Sequence, residues 1–137
     1  GSDTKTKEQL DDYLKTAIKA MESGLFVYFA HPDLFMSSYP TFDEDCKKVC
    51  HQLCEKAKEL NMPLEYNISG YIYRESFNCP NSYPNKNFWK IAKEVGCQAI
   101  IGYDAHNHTV YETDKYRERA LKELAELGIE VIDTLSL

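Results

Sequence analysis

Four apolar, β-favouring runs, starting near residues 25, 63, 97 and 129, constrain this 137-residue chain more than any other feature. Such runs need a sheet to bury them, and each follows a segment whose apolar residues recur at helical spacing. The repeat is roughly 30 residues, the length of a βα unit, and such units build parallel sheets with right-handed crossovers. The expected fold class is therefore α/β, with a parallel sheet of four βα units in one domain, residues 1–137.

Leu10, Tyr13, Leu14, Ala17, Ile18 and Met21 stripe the segment from Lys7 to Ser23, and Gly24 is placed to end that helix. The continuous apolar run Leu25 to Ala30 reads as a strand covered on both faces, stopped at His31-Pro32-Asp33. Thr41-Phe42-Asp43-Glu44 supplies a cap and first-turn acids for a helix running to about Leu60. After the strand Pro63 to Ile68 comes an irregular stretch, Tyr71 to Pro84, of a length that favours a functional loop. Asn85 then caps a helix with Phe88, Ile91, Ala92 and Val95 inward, closed by Gly96. A last helix, Asp114 to Leu127, and the strand Ile129 to Ile132 complete the alternation.

Composition narrows the function classes. Hydrophobic residues at 43% and charged residues at 28% are ordinary for a globular chain. A net charge of −6 without a basic run argues against nucleic acid as the partner. No apolar stretch reaches the roughly 20 residues of a spanning helix, so neither a membrane partner nor a signal peptide is expected, and the expected location is cytoplasmic. Cys46, Cys50 and Cys54 share a helix face with Val49, Leu53, Ala57 and Leu60, which fits buried reduced thiols. A metal site from these cysteines and His51 fits less well, because His51 lies off that face and Cys-x-x-Cys pairs are absent.

Polar residues punctuate the strand ends: His31 after the first, Asn67 after the second, Asp104 and His106 after the third, Asp133 after the fourth. In parallel sheets the C-terminal edge is where sites assemble. Asp104 and His106, two apart on an extended backbone, point to one side and can reach one metal or two adjacent ones. The plainer reading makes Asp104 a cap for the next segment and His106 a surface residue. Glu65 sits between apolar neighbours, and its sequence context leaves open whether it faces the interior.

In order along the chain, His31-Pro32-Asp33, Leu64-Glu65-Tyr66-Asn67-Ile68-Ser69-Gly70, Tyr83-Pro84 and Gly102-Tyr103-Asp104-Ala105-His106 resemble the C-terminal half of the histidinol-phosphatase branch of the PHP (polymerase and histidinol phosphatase) family. The resemblance runs from about Leu10 onward, with Tyr103 replacing the usual small serine. It implies the C-terminal half of a distorted, seven-stranded (β/α) TIM-like barrel with a trinuclear metal cluster at its C-terminal face. His31, Asp104 and His106 would be metal ligands. Asn67, Arg74 and His108 would lie toward the substrate, Arg74 in the loop where relatives place a phosphate-binding arginine.

The implied cofactors are divalent Zn, Mn or Fe, suited to mixed nitrogen and oxygen ligation. The implied reaction is hydrolysis of a small phosphomonoester, L-histidinol phosphate to L-histidinol and phosphate in histidine biosynthesis. The family's opening His-x-His, a Glu and a further His have no counterpart here, and the sole His-x-His is His106-Asn107-His108. The expectation is a cluster incomplete in this chain and inactive alone, needing the missing N-terminal half of the barrel or a homodimer partner. Two alternatives stand beside it: a PHP phosphoesterase acting on another phosphate ester, and a non-catalytic half-barrel that dimerises.

Overall fold

The computed structural model describes residues 5–39, 41–71, 83–102 and 110–132. Helix α1 (Lys7–Glu22) starts at a reciprocal cap: Gln9 N donates to Thr6 Oγ1 at 3.2 Å, and Thr6 N donates to Gln9 Oε1 at 3.1 Å. A short 3-10 helix, Leu34–Ser37, leads to α2 (Glu44–Glu59), capped by Asp43 Oδ1 accepting from Cys46 N at 2.9 Å. Strand β1 (Leu64–Asn67) is followed by α3 (Lys86–Val95), which Asn85 caps and Gly96 closes at φ 92°. Strand β2 (Ala99–Gly102) and α4 (Val110–Leu127) come last.

The two strands pair in parallel, Leu64 opposite Ala99 through to Asn67 opposite Gly102. All four residues of β1 are buried, so both faces of the strand are covered. Helix α2 packs between α1 and α3. It brings Cys46, Val49, Cys50, Leu53, Cys54 and Ala57 into a core shared with Leu10, Phe88 and Trp89. The thiol stripe is packing material: Cys46, Cys50, Cys54 and Cys97 are free and buried, and Cys97 Sγ donates to Cys54 O at 3.2 Å.

The expected four-unit parallel sheet is not what forms, and the chain is not half of a TIM-like barrel. Among the described residues the sheet has two strands and the rest of the core is helical. The outer runs touch the sheet only through single parallel bridges, Phe29 to Leu64 and Ala99 to Val131. Leu25, Phe26 and Val27 are 81%, 55% and 62% exposed, where a strand covered on both faces was expected. The physical reason is that a run of apolar residues reports a preference for burial, not the neighbour that would provide it. Leu25 to Val27 lie beyond the reach of β1, and no other described strand flanks them.

Two substitutions test this packing. Leu53→Ala empties a fully buried position and is expected to cost about 2–5 kcal/mol. Leu25→Ala, at an exposed position, should stay within about 0.5 kcal/mol. Urea denaturation followed by circular dichroism measures both, and a comparable loss for Leu25→Ala would mean that the run is covered after all.

Candidate active-site rim

The parallel register brings several chain ends to one edge. Asn67 ends β1 beside Gly102, the end of β2, and Ile68 N donates to Gly102 O at 2.8 Å. On the other side of β1, Glu65 N donates to Phe29 O at 2.9 Å, which carries the incoming chain to His31 at the same edge. Tyr13 of α1 braces the following turn, its hydroxyl 3.4 Å from Pro32 O.

Glu65 is the centre of this edge. Its Oε1 accepts from His31 N and from Asn67 Nδ2, each at 3.0 Å. Asn67 Oδ1 accepts in turn from Ser69 N at 2.9 Å. A carboxylate only 6% exposed is tolerable because donors converge on it. His31 is held at φ 26°, in the left-handed region that few side chains other than Gly, Asn, Asp and His adopt readily. Its half-buried ring lies 6.2 Å from the Tyr83 ring, next to a cis Tyr83-Pro84 bond.

Asp33 ties the same turn to α3. Its Oδ2 accepts from Asn85 N at 2.6 Å and Trp89 Nε1 at 3.2 Å, while Oδ1 has no partner among the described residues. Complete burial raises its carboxyl to about 6, against the lowering pull of the Asn85 and Trp89 donors and of His31.

On the opposite face of β1, Tyr66 donates to Glu123 Oε1 at 2.7 Å, and Tyr71 donates to the same oxygen. Arg119 lies 3.5 Å from Glu123 Oε2 and stacks 4.1 Å over the Tyr71 ring. Burial would raise the Glu123 carboxyl, but the two hydroxyls and Arg119 outweigh it and hold it below its ordinary value. This knot fastens α4 to β1 rather than serving the rim.

Of the residues singled out in the sequence, the structure brings together His31 and Asn67 and adds Glu65 and Asp33 beside them. Asn67 is 1% exposed and its carboxamide is bonded to protein at both atoms, so it supports the rim from beneath. Arg74, Asp104, His106 and His108 lie outside the described residues, as does Asp133. His51 is half-buried on α2, remote in sequence from any of these. Among the described residues no three His, Cys, Asp or Glu side chains are grouped to hold a metal ion, and no helix is long and apolar enough to cross a membrane. His31 is the one expected ligand described. The Glu65 carboxylate meets His31 at its backbone amide, so it braces the turn that carries this expected ligand.

Sequence signals for the added residues existed in part. Asp33 stands in the His31-Pro32-Asp33 motif, but nothing local indicates that its partners are Asn85 and Trp89. A groove of about 800 Å³ runs between α1 and the segment 25–31, lined by Tyr13, Ala17, Leu25, Phe29 and Leu34 and reaching His31. Compared with family models, with curated proteins and with solved structures, the chain matches none.

The buried Asp33 makes stability depend on pH. Its folded value, about 6, lies above the ordinary 3.8, so the folded state holds the proton more tightly. The contribution is complete below the ordinary value and is lost as pH rises through the folded one, on the order of 3 kcal/mol at most. Asp33→Asn has no proton to exchange and should flatten the fall in stability across that window. Urea midpoints collected from about pH 4 to about pH 7 measure it, and an unchanged slope would rule Asp33 out as its source.

Proposed function

We propose that this chain carries part of the metal-binding rim of a metal-dependent phosphomonoester hydrolase of the histidinol-phosphatase kind, acting on a small phosphorylated substrate such as L-histidinol phosphate. The observation that supports this most is the seating of His31, Asn67 and Gly102 at one edge of a parallel pair. Asp104 follows Gly102 by two residues in the chain, and His106 by four. His31, Asp104 and His106 would hold divalent ions, with Arg74 and His108 toward the phosphate. The ions, when bound, would supply an activated water and neutralise charge on the phosphoryl oxygens. The chain's own part is to present an imidazole from a fixed turn, with a buried hydrogen-bonded carboxylate behind it. The remaining ligands would lie outside these 137 residues, so on their own these residues bind metal weakly and do not turn over.

Isothermal titration with Zn²⁺ and Mn²⁺, and phosphate release from L-histidinol phosphate, test the reading together. Weak metal uptake, lost in Asp104→Asn and His106→Ala, is the expected result, with no phosphate released by the chain alone. Metal uptake indifferent to both substitutions, or none at all, would sink it. Clear turnover by the pure chain would overturn the incomplete-site part.

A second reading is favoured by the exposed Leu25, Phe26 and Val27: a non-catalytic domain that pairs with a second copy along that edge. Sedimentation equilibrium tests it, since a monomer mass independent of concentration removes this second reading.

A further inference from the structure

Glu65 is the only charged side chain in β1, and its carboxylate reaches His31, Asn67 and Gly102 at the rim. It takes the His31 amide and the Asn67 carboxamide on one oxygen. Its other oxygen leaves no room at residue 102, where an added Cβ would come within 2.1 Å of Oε2. Glycine there is what lets β2 end against a carboxylate. His31 stands at φ 26°, a conformation that the bonds around it hold in place. Here Leu34 N donates to its carbonyl at 3.1 Å, and the side-chain group that takes its amide is Glu65 Oε1.

We infer that Glu65 is a positioning residue for the rim: it sets the backbone of His31, the carboxamide of Asn67 and the end of β2, and thereby the presentation of the His31 imidazole to a metal ion. The inference rests on the phosphatase reading for its metal, but the clamp itself is a property of the folded chain. What His31 and Asn67 require is an acceptor at Oε1, not the negative charge.

Backbone amide exchange by NMR and Zn²⁺ titration of the full chain test it, in wild type, Glu65→Gln, Glu65→Ala, His31→Ala and the Glu65→Ala/His31→Ala double variant. Glu65→Gln keeps the acceptor, so the His31 amide stays protected and Zn²⁺ affinity remains within about threefold of wild type, whereas Glu65→Ala exposes that amide and weakens Zn²⁺ by about 10–100-fold, as loss of an orienting partner does. In the His31→Ala background, Glu65→Ala should bring no further loss of Zn²⁺ affinity. A general loosening of the fold would bring one.

Unchanged His31 protection in Glu65→Ala overturns the inference. So does a Glu65→Gln variant that loses as much as Glu65→Ala, since the charge would then be what matters. If Glu65→Ala does not fold, Glu65→Leu, closer in volume, takes its place with the same expectations. A wild-type chain that takes up no Zn²⁺ would remove the proposed function, while the exchange measurement would still decide the clamp.

Discussion

A carboxylate buried in the middle of a parallel strand dictates much of what surrounds it. Removing Glu65 from water without partners would cost several kcal/mol, so the chain must bring donors to it. Those donors are the amide of an adjoining turn and the side chain of the residue two along the same strand. The turn is thereby fixed in a left-handed conformation, and β2 ends in a residue with no side chain. The candidate rim is the outcome of satisfying one buried acceptor. Because Leu64 and Tyr66 point the other way, the same four-residue strand serves two purposes: the rim on one face, and on the other the Tyr66 contact with Glu123 that fastens α4.

How far the sequence foretells this depends on whether a feature is local. Asp43 and Asn85 act as caps, and Gly96 closes its helix, because capping is decided within a few residues. The face of α2 carrying Cys46, Cys50 and Cys54 is legible for the same reason, since helical spacing alone assigns it. The ends of β1 and β2 are also close to where the apolar runs place them. Leu25 to Ala30 misleads, because an apolar run has the same composition whether or not a neighbour covers it. From that one run and its counterpart at Ile129 to Ile132 came the expectation of four strands. The sheet that forms is half as wide.

The rim shows the same division. His31 and Asn67 are visible as polar residues that stop apolar runs. Glu65 is not, because its role lies in a bond to a residue 34 positions earlier. Asp33 is similarly opaque: its partners Asn85 and Trp89 lie 52 and 56 positions away. Arg119 and Glu123 look like an ordinary ion pair on a solvated helix face. Only the fold shows that two tyrosine hydroxyls converge on that carboxylate. Long-range polar satisfaction is where sequence periodicity carries no information.

The exposed trio Leu25, Phe26 and Val27 has a consequence for the life of the chain before it meets anything else. They open the six-residue run Leu25 to Ala30, which carries neither charge nor proline, the composition of a segment prone to pair with another chain when exposed. The neighbouring Gly24 offers no gatekeeping charge. Self-association is therefore expected to begin at this edge rather than in the well-packed core around Leu53 and Trp89.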